Sequence, residues 1–360
     1  MTATRSLSHG SWSVTAIHVE FSPFDGERVA VATAQYFGIV GNGRLHVFGR
    51  HAGDVADSSP AWQQRELRSF DTQAGLFDCA WSECHPHQMA TAGADGVVKL
   101  WDLGAADGFP VADWREHTQE VSGVDWNLVS KGLFASASWD GSVKLWTPSA
   151  GVSSHTFRDH GRHPVYGAIW SPFSPGQLLS FSGDGTARVL DVNSPGAAIV
   201  LDGHGGAEVL AGDWDKYNHP VVATGCADGA VKTWDLRQPS RAIRLVSCWC
   251  TVMTTLPQLC CTRTSPQSVL PAPTKADALS EMGLVCQKPP VQTSKPFLGL
   301  VTNSANRIEQ GQGQGQGSPR LLDRCVGHTE FVAGVAFSLF EPRLMATCAW
   351  DRRLCFWRSL

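Results

Sequence analysis

Residues able to do acid–base or nucleophilic chemistry recur in this sequence at a fixed spacing. His117, Ser136 or Ser138, and Asp140 precede Trp146; His204, Thr224 and Asp228 precede Trp234; His328 and Asp351 precede Trp357. A serine, a histidine and an aspartate together are the parts of an acyl-transfer triad. A nucleophile is needed once, however, and this set returns once per repeat. The turn aspartates Asp95, Asp140, Asp184 and Asp228 follow one another at intervals of 45, 44 and 44 residues. That recurrence assigns the set to structure: a buried hydrogen-bonded chain from histidine through hydroxyl and carboxylate to indole.

Cys248, Cys250, Cys260 and Cys261 raise the question of zinc. Their C-x-C…C-C spacing is not that of a common structural site, and no histidine lies nearby. No phosphate loop and no single nucleophile paired with a base is present, so neither an enzyme nor a cofactor or metal site is expected.

The elements that position these residues are short strands. MATAGADGVVKLWDL (89–103), FASASWDGSVKLWTP (134–148), LSFSGDGTARVLDV (179–192), VATGCADGAVKTWDL (222–236) and MATCAWDRRLCFWRS (345–359) align with one another. Asp95–Trp101 is the corresponding pair in the first of them. Each is preceded by an alternating segment, such as EVSGVDW (120–126), and four of those segments follow a histidine: His117, His160, His204 and His328. Alternation of period two makes half-buried strands, and Asp-Gly makes tight hairpins. A period of 44–45 residues is that of a four-stranded propeller blade, and the segments resemble WD repeats.

Residues 17–48 fit the template with its tryptophan and aspartate lost, and the fourth repeat carries Leu190 where the others carry tryptophan, so its polar chain should be incomplete. From Asp228 to Asp351 there are 123 residues, room for a further blade and a remainder. Yet residues 241–320 are rich in Pro, Ser and Gln and contain no second repeat; IRLVSCWCTVM (243–253) could supply one strand. This stretch reads as an insertion or as translated non-coding sequence replacing an exon, and its abrupt change of composition favours the second. The expected fold is therefore an all-β WD-repeat propeller of the seven-bladed type, its sixth blade degenerate or replaced. It divides into blades one to five (11–240), an atypical low-complexity stretch (241–320) and a last blade (321–360). No residues follow Trp357 for an outer strand, so SWSVTA (11–16) is expected to complete the last sheet and close the ring.

The totals agree. The 360 residues are 42% hydrophobic and 17% charged, with 29 basic against 33 acidic side chains, which argues against nucleic-acid or membrane-surface binding. No run is long enough to span a membrane and no secretory signal is seen, so the cysteines are expected to stay reduced in an intracellular protein.

More specific are EFSPFDGERVAVATAQYFGIVGNGRLHVF (20–48), RSFDTQAGLFDCAWSECHPHQMATAGADGVVKLWD (68–102), EHTQEVSGVDWN (116–127), SASWDGSVKLW (136–146) and GHTEFVAGVAFS (327–338). These resemble the receptors for the type 2 peroxisomal targeting signal. The resemblance implies a non-catalytic import receptor cycling between cytosol and peroxisome matrix. It would bind an N-terminal nonapeptide, Arg/Lys-Leu/Val/Ile-x5-His/Gln-Leu/Ala, on thiolase-like cargo. It would act with a co-receptor of the type 1 receptor class and docking peroxins, without inserting into the membrane. DGAVKTWDLR (228–237), ending in Trp234, Asp235 and Arg237, also matches the short box of cullin-ligase substrate adaptors, the alternative reading.

Cargo contacts are expected where inner strands begin and just before the turn aspartates. Glu120, Glu208, Glu330, Asp71 and Asp78 are the candidates for the cargo's basic residues. Trp139, Trp350 and Phe77 are the candidates for its aliphatic ones; Ser122, Leu210 and Phe331 occupy neighbouring positions.

Overall fold

The computed structural model describes residues 3–6, 14–51, 63–194, 196–247, 282–287, 297–302, 320–325, 328–341 and 344–358. Five consecutive four-stranded antiparallel sheets account for residues 15–247, each running from an inner to an outer strand in chain order. Their inner strands are Thr15–Phe21, Leu76–Trp81, Val121–Trp126, Val165–Trp170 and Val209–Trp214. A sixth sheet begins with the inner strand Val332–Phe337. Among the described residues the result is a propeller of six blades rather than the seven expected.

The difference lies in the atypical stretch. Met282–Gln287, Phe297–Thr302 and Arg320–Cys325 form a three-stranded sheet of their own, and none of them pairs with a blade. Ala242–Ser247, at the head of the apolar patch, is the outer strand of the fifth blade. Cys248, Cys250, Cys260 and Cys261 lie outside the described residues.

Ring closure also departs from expectation. The last blade is completed by Ala3–Ser6, antiparallel to Arg353–Arg358, with Ala3 opposite Phe356. Of the segment 11–16, Ser11 to Ser13 lie outside the described residues, and Thr15 and Ala16 begin the inner strand of the first blade. The exchange of partners is possible because a short strand without alternation can pair wherever a free edge faces it.

Between the blades lies the core. Trp81, Trp101, Trp126, Trp146, Trp170, Trp214 and Trp234 are all less than 2% exposed. Trp126 stacks on Phe134 at 5.0 Å, and Trp114 meets Trp146 at 5.7 Å, so the many tryptophans fill the wedges between sheets. Inner-strand glycines let neighbouring sheets converge on the axis: a Cβ on Gly212 of blade five would come within 2.9 Å of the Phe181 ring of blade four, and one on Gly334 within 3.0 Å of Val19 N in the first blade.

The polar chains form as the spacing predicts in blade three and in the last blade, whereas in blade five Asp228 drops out of the expected chain, standing 3.5 Å from His204 Nδ1. In blade three the Trp146 indole donates to Ser136 Oγ at 2.8 Å, Ser136 Oγ meets His117 Nε2 at 2.7 Å, and His117 Nδ1 meets Asp140 at 3.0 Å. Ser136 is thus the link. Ser138 instead binds the turn backbone, accepting from the Asp140 N–H at 3.1 Å. Thr224 joins Trp234 to His204, and Thr347 joins Trp357 to His328. In blade four His160 bridges Asp184 and Ser180 at 2.8 Å each, and the chain stops there because Leu190 replaces the indole.

A second polar system ties neighbouring blades around the axis. Glu20 accepts from the Trp81 N–H (3.0 Å), Asp78 from Val124 (3.0 Å) and Asp125 from Trp170 (2.7 Å). Three successive blade junctions thereby carry a charge-assisted bond. In blade five Asp213 accepts from the Trp214 N–H at 2.8 Å and from Lys216 at 2.9 Å. These residues surround a central cavity of about 180 Å³ lined by the inner strands of all six blades.

Candidate functional site: an aromatic stripe on one face of the ring

Strand register fixes which residues share a face. Val121 is opposite Ser138, Val209 opposite Cys226 and Val332 opposite Ala349, so the start of each inner strand lies beside the turn that ends in the repeat's aspartate. The backbone repeats the arrangement: Trp139 N–H donates to Glu120 O (3.0 Å), Ala227 to Glu208 O (2.9 Å) and Trp350 to Phe331 O (2.9 Å). Glu120, Glu208, Glu330, Phe331, Trp139 and Trp350 therefore stand on one face of the ring.

Four consecutive blades place aromatic rings together there. Trp350 of the last blade meets Phe331 at 5.4 Å and Phe37 of the first blade at 4.8 Å. Phe77 of the second blade stacks on Trp139 of the third, 6.1 Å apart and 20° from parallel. Gly38 bridges the two groups: a Cβ there would lie 2.2 Å from Phe77. Tyr36, Phe37, Ile39 and Val40 extend the stripe into solvent, with Tyr36 68% and Ile39 85% exposed.

The chain presents this hook at a conformational cost. Tyr36 and Phe37 both have positive φ, 45° and 61°, which bulky residues rarely adopt. Blades two to five make the same connection with a glycine after the aspartate, and the last blade with Arg352 at a φ of 64°. Here Asn42 N–H donates to the Gln35 side chain (2.8 Å) and Gln35 N–H to Asn42 O (2.9 Å), which hold the loop closed. Such outliers cost roughly 1–3 kcal/mol each and persist only where their surroundings enforce them.

The acidic candidates divide. Glu208 and Glu330 are exposed and Glu120 half-buried on the aromatic face. Glu208 accepts from Tyr166 Oη at 3.0 Å; burial and that carboxylate push the phenol up to about 12. Asp71, though exposed, is held in a two-pronged pair with Arg44 at 2.6 and 3.0 Å. Asp78 is not at the rim: it is 7% exposed, bonded to Cys79 N–H, Val124 N–H and His18 (2.8 Å), and belongs to the blade junction. Alternation explains the correction, because one position along a strand exchanges rim for seam. Phe77, 8% exposed, is floor rather than rim, and Trp139 and Trp350 are half-buried. Leu210 and Ser122 turn toward the axis.

Phe37 and its neighbours were not among the sequence candidates. The signal available was QYFGIVGNG, a turn rich in aromatic and aliphatic residues where the next four repeats carry Asp-Gly.

Three segments, 64–102, 108–147 and 319–358, match the family "WD domain, G-beta repeat". The chain is 45% identical over 131 residues to the "Peroxisomal targeting signal 2 receptor" of Dictyostelium discoideum, covering 36% of this chain and 39% of that protein. It is 43% identical over 142 residues to the human protein of the same description, covering 39% of this chain and 41% of that one. It is 42% identical over 129 residues to "Peroxisome biogenesis protein 7" of Arabidopsis thaliana, covering 36% and 38%. The matched stretches thus span about two fifths of the length of these relatives.

Proposed function

We propose that this WD-repeat chain, similar to receptors for the type 2 peroxisomal targeting signal, is itself a non-catalytic receptor for that signal. The observation that carries the reading is the aromatic stripe: apolar rings on four adjacent blades, flanked by Glu120, Glu208 and Glu330. A nonapeptide helix is about 13 Å long, and its positions one and eight share a face, as do two and nine. Its aliphatic residues fit rings, and its basic first residue fits carboxylates. A strained Tyr36–Phe37 hook facing solvent is costly to keep and supports a binding role. Relatives described as such receptors supply the identity of the cargo class.

In this reading the chain picks up cargo in the cytosol, acts with a co-receptor of the type 1 receptor class, and docks at peroxins. The adaptor reading has less support: Arg237 is folded onto Asp235 at 2.6 Å, and the relatives named above are import receptors. The test is retention of the purified chain on immobilised nonapeptide with and without co-receptor, using Trp139→Ala, Trp350→Ala and Arg237→Glu. The two tryptophan variants should lose retention and R237E should keep it. No retention of the parent chain at low micromolar concentration, or loss in R237E alone, rejects the proposal.

A further inference from the structure

The repeated His–Asp pair gives this chain its own reference geometry. His117–Asp140, His160–Asp184 and His328–Asp351 are separated by 3.0, 2.8 and 3.1 Å, each a hydrogen bond through Nδ1. In blade five His204 Nδ1 stands 3.5 Å from Asp228 Oδ2 and takes part in no hydrogen bond, although the residue is only 4% exposed. Two positions before the turn aspartate, blades three and four have Ser138 and Ser182; blade five has Cys226, 3% exposed. His204, Cys226 and Asp228 each bring one ligand atom within 4.8 Å of the others.

We propose that His204, Cys226 and Asp228 form a three-ligand site for a zinc-like divalent cation. A tetrahedral ion with bonds of about 2.0–2.2 Å to nitrogen and oxygen sets those atoms about 3.4 Å apart. The 3.5 Å separation fits that edge, whereas the hydrogen-bonded pairs of the other blades are too short to admit an ion. Imidazole, thiolate and carboxylate together suit a borderline metal rather than magnesium or calcium.

The surroundings support the assignment. His204 Nε2 is held by Thr224 Oγ1 at 2.8 Å, and Thr224 by the Trp234 indole at 2.8 Å, which fixes the ring with Nδ1 facing the site. The Cys226 thiol donates to Ala207 O at 3.3 Å. Binding breaks the S–H bond, forms the sulfur–metal bond and releases one proton to solvent. The Asp228 side chain, 32% exposed, leaves a fourth position to water. Lys232, 4.0 Å from Asp228 Oδ2, is the competing cation and limits affinity. The last blade brings Cys355 to 4.0 Å from His328 Nδ1, but there Asp351 already holds that nitrogen at 3.1 Å.

The test is Co²⁺ titration of the metal-free full chain under reducing conditions, followed by thermal unfolding with and without Zn²⁺. The parent chain should show a thiolate-to-cobalt charge-transfer band and a Zn²⁺-dependent rise in Tm. Cys226→Ser, which restores the residue of blades three and four, should lose one equivalent of the band and the Tm response while unfolding normally in the absence of metal. Cys84→Ser, an exposed cysteine remote from the site, should retain both. A band and Tm response equal in the parent chain and in C226S would overturn the assignment.

Discussion

Removing the same hydroxyl from blades three and four should cost different amounts. Ser136 and Ser180 hold equivalent positions, both 0% exposed, and both meet a histidine Nε2, at 2.7 and 2.8 Å. Ser136 also accepts the Trp146 indole N–H at 2.8 Å, whereas blade four has Leu190 in place of the indole. Ser136→Ala strands two buried side chains, those of His117 and Trp146; Ser180→Ala strands one, that of His160, and gives up a long 3.4 Å bond to the Arg188 carbonyl, which strand pairing leaves in place. Each unmet buried polar group costs about 1–3 kcal/mol, so S136A should lose about 1–3 kcal/mol more than S180A. Urea unfolding followed by tryptophan fluorescence measures the difference, provided the variants share one m-value. In a Trp146→Phe background the additional cost of S136A should shrink toward that of S180A. Equal losses, to within about 0.5 kcal/mol, would refute the claim that the indole bond stabilises the blade.

Further expectations follow from the same geometry. Burial acts to lower the pKa of His328, but its bonds to Asp351 and Cys355 outweigh this and raise it to about 9, above its ordinary value of 6.5. The stability it contributes is therefore fully present below about pH 6.5 and is lost as pH rises through about 9; Tm should fall across that window and fall less steeply in Asp351→Asn. Gly38→Ala places a methyl against Phe77 at a φ of 83°, and should weaken nonapeptide binding more than it lowers Tm, as read by peptide titration beside calorimetry. Asp78→Asn replaces a carboxylate that holds His18 and the Val124 N–H, and should lower Tm by several degrees while leaving the aromatic face able to bind peptide.

The repeat was legible because its parts are near in sequence: Asp140 lies 6 residues before Trp146 and 23 after His117, and each of the first five blades takes its four strands from one continuous stretch. Blade four's incomplete chain could be read from a single letter, Leu190. Blade number was not legible, because it depends on whether residues 241–320 pair with a neighbour, and only Ala242–Ser247 does so among the described strands there. The closing strand Ala3–Ser6 carries no alternation in ATRS and pairs with a partner some 350 residues away. At the candidate site, Trp139 and Trp350 were found because a tryptophan before a turn aspartate is unusual. Asp78 was misplaced because burial of a carboxylate is decided by the next blade's backbone, which its own repeat does not encode. Phe37 was missed because its packing depends on Trp350, its partner across the junction of the first and last blades.

The pairing of Ala3–Ser6 with Arg353–Arg358 also sets a timetable for biosynthesis. At roughly 5–20 residues per second, the ribosome needs about 20–70 s between the two halves of that sheet. Throughout that interval the first four residues of the pairing have no partner on their own chain, and five blades can already have folded behind them. The nascent polypeptide thus carries an unpaired strand through the making of five blades, and Arg353–Arg358 is the strand that finally ties the start of the chain to its far side.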